Sequence, residues 1–153
     1  GQLAWKLRSA ERVVNMERTN VRYLEADSLP EKVDVVTIDV AFISLDKVLP
    51  AVKKIIADDG IVIALIKPQF EAGKENVGKK GVVRDPQVHL TVINNVIATA
   101  GELGFKIAGL DYSPVKGPEG NIEYLLHLRK SDEVPGEIPF NIREIVEKAH
   151  EML

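Results

Sequence analysis

Hydrophobic residues follow two different spacings along the chain, one typical of strands and one typical of helices. Continuous apolar or β-branched runs predict strands at 35–40, 61–67, 105–112 and 122–128. Apolar residues that recur three or four positions apart predict amphipathic helices at 45–56, 86–103 and 141–153. The order is therefore strand, helix, strand, helix, strand, strand, helix. Such alternation predicts an α/β fold with a mostly parallel sheet, in which the last strand runs antiparallel to the strand before it.

Capping and turn residues support several of these boundaries. Asp85-Pro86 is a strong helix start, because aspartate is a preferred cap and proline fits the first helical position. Asp58-Asp59-Gly60 predicts a turn before the second strand. Ser44 could cap the first long helix, but Pro50 lies inside that helix. The sequence leaves open whether Asp46 is the true cap or Pro50 kinks the helix.

The pattern is weaker before residue 35. Apolar residues at helical spacing predict a short helix at 3–9, and a β-branched pair predicts a short buried strand at 13–17. Residues 20–27 favour a helical turn. The chain opens with neither an initiator methionine nor a helix cap, so we expect it to begin within a domain.

Three ionisable residues lie at the predicted strand ends. Asp39 and Lys67 are at the carboxyl ends of consecutive strands, and Glu123 is at the start of the last strand. Because ligands of open α/β sheets bind at the carboxyl ends of the strands, Asp39 and Lys67 can face one crevice. If the last strand is antiparallel, Glu123 starts at the same edge. Strand order therefore predicts that these three side chains converge.

An amine between two carboxylates can assist a hydroxyl group. The acids orient Lys67, which can then take a proton from a ribose hydroxyl or stabilise the alkoxide during attack on a methyl sulfonium. The residues alone are equally compatible with a structural interpretation. In that interpretation Asp39 caps a turn, Lys67 is a solvated charge and Glu123 pairs with a nearby lysine.

Composition narrows the classes of function. The chain has 153 residues, which fits one domain, and it contains no cysteine. The lack of cysteine excludes a disulfide framework, a thiolate zinc site and a cysteine nucleophile. The formal net charge of −3 does not favour a general nucleic-acid binder, although it leaves room for a local RNA contact.

Neither a metal site nor a membrane span is predicted. His89, His127 and His150 are scattered without the spacing of metal ligands. The longest purely apolar run, at 61–66, is too short to cross a bilayer. The candidate chemistry of the chain therefore rests on its charged residues.

Four segments together resemble one known family. They read TIDVAFISL at 37–45, LIKPQFEAG at 65–73, GVVRDP at 81–86 and GNIEYLL at 120–126. In this order they are similar to the TlyA family, hemolysin-like proteins related to the FtsJ ribose methyltransferases. The similarity runs from Gly1 to about Arg129, which is nearly the whole chain.

The resemblance implies 2′-O-methylation of ribosomal RNA by a Rossmann-like domain that uses S-adenosyl-L-methionine (AdoMet). The family is expected to carry an S4-type RNA-binding domain before the methyltransferase domain. Its catalytic set is Lys-Asp-Lys-Glu, and Asp39, Lys67 and Glu123 match the last three positions. The first lysine and the glycine-rich AdoMet loop are expected upstream of Gly1. The methyltransferase fold is therefore predicted to be N-terminally truncated, with its first strands missing.

The resemblance also implies contacts with AdoMet. Glu17, at the end of its predicted strand, is expected to contact the adenosine, although a plain surface acid fits its position equally well. Asp39 is expected near the methyl donor. Without the glycine-rich loop, the chain is predicted to bind AdoMet weakly and to be inactive alone. An incomplete sheet also leaves an open edge through which a homo-oligomer could form.

The loop at 68–84 is the predicted RNA-facing surface. From Lys67 to Asp85 the sequence carries five positive and three negative residues. Phe70 could stack on a base and Gln69 could hydrogen-bond one; the alternatives are a core phenylalanine and a solvated loop. The predicted RNA-binding residues are Gln69, Phe70, Lys74, Lys79, Lys80 and Arg84.

The predicted domain organisation is a partial methyltransferase domain at 1–130, a linker at 131–140 and an amphipathic helix at 141–153 that packs on the same domain. We predict a cytoplasmic protein whose partners are ribosomal RNA or ribosomal subunits. A membrane-active hemolysin and a noncatalytic RNA-binding module are the alternatives. The hemolysin is opposed by the lack of a spanning segment and by three glutamates in the terminal helix.

Overall fold

The described part of the chain contains four strands, which form one mixed sheet. The computed structural model describes residues 3–131 and 137–153. The strands are β1 (Val33–Ile38), β2 (Ile56–Ile66), β3 (Phe105–Tyr112) and β4 (Tyr124–Lys130), in the spatial order β1-β2-β4-β3. β1 and β2 pair in parallel, whereas β4 is antiparallel to both of its neighbours. β1, β2 and β3 therefore share one direction, which confirms the mostly parallel sheet with an antiparallel last strand.

Helices alternate with the strands as the sequence predicts. The described α-helices are α1 (Trp5–Arg8), α2 (Leu45–Ile55), α3 (Pro68–Glu71), α4 (Pro86–Glu102) and α5 (Ile142–Met152). α4 begins at the predicted cap, where Asp85 Oδ1 accepts a hydrogen bond from the backbone N–H of Gln87 (2.9 Å). The alternation confirms an α/β fold. Within residues 3–131 and 137–153, no helix combines the length and the apolar character that a membrane crossing needs.

The core lies between the sheet and its helices. Every second residue of β2 is buried from Val62 onward, which matches the two-residue period of a strand with one buried face. The buried stripes of α2 and α4 cover this face with Leu45, Val48, Leu49, Val52, Val92, Ile93, Val96 and Ile97. α5 contacts α4 and β3, and it contributes Val146 and Ala149 to the same core. The burial of apolar side chains from all these elements is the main force that holds the helices against the sheet.

The segment at 13–17 departs from the sequence prediction. It forms no strand, and Val14 is 75% exposed. A strand is stable only when its backbone groups pair with a neighbour, and β1 is the edge strand of the described sheet, with no described strand beside it on its free side. The prediction of a buried strand was therefore wrong. Residues 20–27 do contain helical turns, at 21–23 and at 26–28.

Two further details differ from the sequence prediction. The turn predicted at 58–60 is an irregularity within β2, where Asp59 has a φ of 60° and the register with β1 shifts. Ser44 holds the N-cap position of α2, so Asp46 is not the cap, and Pro50 lies inside the helix. The first two residues of the chain, and 132–136 of the predicted linker, lie outside the described residues.

Candidate active site

The carboxyl edge of the sheet brings the three candidate residues to neighbouring positions. Asp39 follows β1 and Lys67 follows β2, and these two strands are parallel neighbours. The last paired residues of β2 and β4 are Ile66 and Tyr124, so Lys67 and Glu123 are the next positions in the same register. Three residues that are distant in sequence therefore lie at one edge of the sheet.

Lys67 and Asp39 form an ion pair at this edge. Lys67 Nζ lies 2.5 Å from Asp39 Oδ1. The Lys67 side chain is 13% exposed, whereas the Asp39 side chain is 69% exposed. The amine is thus sheltered while the carboxylate faces solvent, and this disagrees with the interpretation of Lys67 as a solvated charge.

Glu123 is buried at the end of the neighbouring strand. It is 6% exposed, and its Oε2 accepts a hydrogen bond from Gln69 Nε2 (2.9 Å). Its carboxylate also packs against Gly117, where any Cβ would overlap it. A buried carboxylate requires a hydrogen-bond donor, and Gln69 supplies one. Because a carboxylate accepts, the amide nitrogen of Gln69 faces Glu123, and Gln69 Oε1 is left buried with no partner among the described residues.

Asn121 ties the loops around Glu123 together. It is 2% exposed, and its Oδ1 accepts a hydrogen bond from the Val83 backbone N–H (3.1 Å). Its Nδ2 donates to the carbonyl oxygens of Gly81 (2.9 Å) and Pro118 (3.1 Å). The end of the predicted RNA-facing loop is thereby fixed to the residues that precede Glu123. Sequence reasoning quoted Asn121 only as part of a motif and missed this role.

Two phenylalanines, in the segments that follow Asp39 and Lys67, contact each other. The ring centroids of Phe42 and Phe70 are 4.9 Å apart, with a tilt of 52° between the planes. Phe42 is 90% exposed and has a φ of 61°, which is uncommon for a residue other than glycine. Both rings line an open pocket of about 470 Å³ together with Gln69 and Lys74. Sequence reasoning selected Phe70 but missed Phe42, because an apolar residue after a strand usually packs inside.

The remaining predicted RNA-binding residues are on the surface. Lys74, Lys79, Lys80 and Arg84 are all exposed. The segment that carries them is partly ordered by short 3-10 turns at 74–76 and 79–81. Val82 and Val83 at its end are buried, so the basic side chains extend from an anchored segment.

Glu17 lies in a setting that differs from the predicted one. Its Oε1 is 3.1 Å from Arg8 Nε and accepts a hydrogen bond from Asn15 Nδ2 (2.8 Å). Because 13–17 is not a strand, the expectation that Glu17 marks a strand end was wrong. Its contact with a cofactor stays a prediction.

Glu71 binds the start of α2 from the neighbouring segment. Its Oε2 accepts a hydrogen bond from Ser44 Oγ (2.6 Å), and its Oε1 accepts one from the Leu45 backbone N–H (2.8 Å). Burial raises the pKa of the Glu71 carboxyl, and the Asp46 charge acts in the same direction, although the two hydrogen bonds oppose the shift. Sequence reasoning counted Glu71 only as one charge of the loop.

His89 of α4 and Tyr124 of β4, the residue after Glu123, form a buried polar pair. The His89 ring nitrogens lie 2.8 Å from the Tyr124 hydroxyl and 2.8 Å from the Val83 carbonyl oxygen. Because a carbonyl only accepts, His89 Nε2 carries the proton and Nδ1 accepts from Tyr124. Burial lowers the pKa of His89, in agreement with a neutral ring. The His150 ring lies 4.7 Å away, a proximity that the sequence did not indicate.

Groups of three or more His, Cys, Asp or Glu side chains that could hold a metal ion do not occur in the part of the chain that the structure describes.

The chain is similar in sequence to a methyltransferase family and to several individual relatives. A family model for the FtsJ-like methyltransferase matches residues 1–130. The chain is 48% identical over 129 residues to the 16S/23S rRNA (cytidine-2'-O)-methyltransferase TlyA of Mycobacterium tuberculosis (strain CDC 1551 / Oshkosh), covering 84% of this chain and 48% of that protein. It is 39% identical over 127 residues to Hemolysin A of Brachyspira hyodysenteriae, covering 82% and 53%. The chain spans about half the length of these curated relatives.

Two solved structures share the arrangement of strands and helices. A candidate hemolysin from Streptococcus thermophilus aligns with a TM-score of 0.93 at 47% identity, over 99% of this chain and 55% of that chain. A candidate hemolysin from Lactococcus lactis aligns with a TM-score of 0.89 at 49% identity, over 96% of this chain and 71% of that chain. The fold described above is therefore also the fold of these relatives.

Proposed function

Because the chain belongs to the FtsJ-like methyltransferase family, we propose that it forms the catalytic face of an AdoMet-dependent ribosomal RNA ribose 2′-O-methyltransferase. One observation carries the proposal: a sheltered Lys67 amine is held by Asp39 and is adjacent in register to the buried Glu123. Relatives named as rRNA (cytidine-2'-O)-methyltransferases support ribosomal RNA as the substrate and cytidine as the nucleotide.

Lys67 is the residue that we assign to the ribose 2′-hydroxyl. This hydroxyl is weakly acidic, so its oxygen becomes a good nucleophile only when a nearby group accepts the proton or stabilises the alkoxide. The ion pair with Asp39 restricts the amine to one position at the edge of the sheet. Glu123 presents a second carboxylate from β4, and its burial keeps that charge in a fixed place. The residues thus act by orientation and charge, without a covalent bond to the enzyme.

Two acidic residues of this chain, Asp39 and Glu17, are our candidates for contacts with AdoMet. AdoMet supplies a methyl group on a positively charged sulfur, and the exposed carboxylate of Asp39 at the carboxyl end of β1 is suited to attract positive charge. Glu17 is our candidate for the adenosine. Two carboxylates contact only parts of the cofactor, so we expect weak AdoMet binding by this chain alone.

The RNA-facing surface that we propose combines aromatic and basic side chains. Phe42 and Phe70 offer faces on which an unstacked base can rest, and each lies three residues after one partner of the ion pair. The exposed cations suit the phosphate backbone; they are Lys74, Lys79, Lys80 and Arg84. Gln69 binds Glu123, so it connects this surface to the catalytic residues.

Domain organisation, location and self-association also stay proposals. We assign residues 1–130 to the methyltransferase domain and 131–140 to a linker, and α5 packs on the core of that domain. Ribosomal subunits as partners imply a cytoplasmic place of action. The free edge of β1 is where we would expect strand exchange in a homo-oligomer.

A membrane-active hemolysin is the second candidate, since one relative is named Hemolysin A. The geometry opposes it, because Val146 and Ala149 on the apolar face of α5 are already buried in the core. Leakage of liposomes caused by the purified protein at low micromolar concentration would favour it. A noncatalytic RNA-binding module would instead bind RNA equally well with and without Lys67 and would transfer no methyl group.

Transfer of tritium from labelled AdoMet to ribosomal subunits tests the proposal. The full-length protein is compared with its Lys67→Ala variant and with Lys148→Ala, which removes an exposed lysine of α5. We expect Lys67→Ala to lower the rate by about a hundredfold or more, and Lys148→Ala to leave it unchanged. Equal methylation by the wild type and Lys67→Ala would overturn the catalytic assignment. No transfer by the wild type would overturn the function itself.

A further inference from the structure

The carboxylate of Glu71 connects two segments of the site that are distant in sequence. It accepts the Ser44 hydroxyl and the Leu45 backbone N–H, which lie 27 and 26 residues earlier in the chain. Ser44 occupies the N-cap position of α2, yet its own side chain makes no capping hydrogen bond. A residue of α3 therefore caps α2 from outside that helix.

This remote cap needs an explanation, because a local one is available. Serine is a preferred N-cap residue, since its oxygen can accept a hydrogen bond from the second or third N–H of its own helix. Ser44 instead donates its hydroxyl to Glu71. The Glu71 carboxylate is half-buried, and Asp46 places a second negative charge near it. A contact that has these costs and replaces a local cap is expected to serve the connection between the segments.

Both connected segments begin at a catalytic candidate. One runs from Asp39 to Leu45 and the other from Lys67 to Glu71. Three contacts join them in matching order, namely Asp39 with Lys67, Phe42 with Phe70, and Ser44 with Glu71. Asp39 and Phe42 are largely exposed, whereas Ser44 and Glu71 are both half-buried. The contact of Glu71 is therefore the one best placed to set the spacing of the two segments.

We propose that Glu71 is a positioning residue that clamps segment 39–45 to segment 67–71 and so fixes the separation of Asp39 and Lys67. The inference rests on the proposed methyl transfer, because Lys67 is the group whose position the clamp controls. Gln69 lies within the clamped segment, so its hydrogen bond to Glu123 depends on the clamp as well. The expected effect is large, because a misplacement of about 1 Å can slow a reaction by on the order of a hundredfold.

Four variants of the full-length protein distinguish the effect of the Glu71 hydrogen bonds from the effect of its negative charge. Glu71→Ala removes both hydrogen bonds. Glu71→Gln keeps the length of the side chain and an oxygen that can accept from Leu45. Ser44→Ala removes one hydrogen bond and leaves the carboxylate in place. Glu147→Ala is the matched control, because Glu147 is an exposed acid of α5, outside the RNA-facing loop.

If Glu71 acts as a clamp, the four variants should differ in kcat for methyl transfer in a specific order. Glu71→Ala is expected to lower kcat for methyl transfer by about tenfold to a hundredfold, while KM for ribosomal subunits changes by less than about threefold. Glu71→Gln is expected to keep most of the activity, Ser44→Ala to fall between the two, and Glu147→Ala to match the wild type. Hydrogen exchange at the Leu45 amide is expected to speed up in Glu71→Ala and to stay slow in Glu71→Gln.

The same measurements can overturn the inference. A kcat for Glu71→Ala equal to that of Glu147→Ala would do so. So would hydrogen exchange at the Leu45 amide that is as slow in Glu71→Ala as in the wild type. If Glu71→Ala fails to fold, Ser44→Ala decides, and a wild-type kcat in that variant rejects the clamp. If the wild type transfers no methyl group, the proposed function fails. Exchange at Leu45 in the wild type and its variants then decides alone whether the clamp exists.

Discussion

The Glu123 carboxylate occupies space that only a glycine at position 117 leaves free. Gly117 has an ordinary φ of −76°, so its lack of a side chain matters for packing and not for backbone strain. Glu123 is buried and bound by Gln69, and it cannot move toward water without losing that hydrogen bond. The position of this carboxylate opposite Lys67 therefore depends on a residue with no side chain.

Replacement of this glycine should affect activity more than stability. In Gly117→Ala the new Cβ would push the Glu123 carboxylate aside, so we expect kcat for methyl transfer to fall by about tenfold or more. Gly101→Ala is the control, because Gly101 lies in α4 with open space around it and alanine favours helices. Steady-state kinetics and thermal unfolding of both variants check this. A kcat for Gly117→Ala equal to that of Gly101→Ala would show that the close contact has no role in catalysis.

Single residues were predictable from the sequence where strand ends mark them. Asp39, Lys67 and Glu123 follow from the pattern, because strand direction fixes which ends share an edge. Glu71 and Phe42 were missed, since their roles arise from loop conformations and from contacts across long sequence separations. Neither periodicity nor composition encodes such contacts.

Loop contacts, in addition to strand pairing, hold the elements of the site to one another. Asn121, just before β4, binds the turn at 118–120 and the end of the RNA-facing loop at Gly81 and Val83. Its amide uses both its donor and its acceptor groups at a position that is almost fully buried. A side chain that lacks one of these groups leaves buried backbone atoms without partners.

Asn121→Asp tests this connection. Aspartate cannot donate to the carbonyls of Gly81 and Pro118, and it adds a buried charge, so we expect a loss of about 2 kcal/mol or more in the free energy of unfolding. The control is Asn94→Asp on the exposed face of α4, for which a change within about 0.5 kcal/mol is expected. Urea unfolding of both variants measures the difference. Equal stability of the two would contradict the role of Asn121.

Hydrophobic periodicity predicts most of the helices and strands, but not all of their boundaries. α4 and β3 were predicted almost to the residue, because their periodic patterns are long and their ends carry capping or turn residues. β2 starts several residues earlier than predicted, since an irregularity carries the strand through Asp59. The segment at 13–17 has β-branched residues but no described pairing strand, and local sequence cannot supply one.

At the scale of the whole molecule, His89 links the packed elements behind the site. It joins α4 to β4 through its contact with Tyr124, and to the end of the RNA-facing loop through its contact with Val83. Its ring also contacts the ring of His150 in α5. Burial lowers the pKa of His89 from its usual 6.5, and the His150 charge adds to this, while the Val83 hydrogen bond and Asp85 oppose it. The neutral ring is therefore the form that the fold accommodates.

Stability is predicted to fall as the pH drops below about 6.5. In that range the unfolded chain binds a proton at His89 more readily than the folded chain does, so protonation favours unfolding. The contribution of neutral His89 to stability is fully present above the pKa of this histidine in the unfolded chain. It is lost as the pH falls toward the lower pKa that His89 has in the folded chain. Burial raises the pKa of Glu71, which acts in the opposite direction at lower pH.

Urea unfolding at pH 7.5 and 5.5 measures this dependence for the wild type and for His89→Gln. Glutamine can donate and accept as the neutral ring does, but it does not titrate, so the variant should show a smaller loss of stability on acidification. Subtracting the variant from the wild type removes the contribution of Glu71 and the other acids. An identical pH dependence in the two proteins would contradict the assignment to His89.

The identity of the methylated nucleoside tests the central claim most directly. Ribosomal subunits are treated with AdoMet and the full-length protein, the RNA is digested to nucleosides, and the products are identified by mass spectrometry. We predict a new 2′-O-methylcytidine with the wild type and none with Lys67→Ala, because the Lys67 amine acts on the ribose hydroxyl. A methyl group on a base, or an equal yield of the 2′-O-methylated nucleoside from Lys67→Ala, would contradict the account.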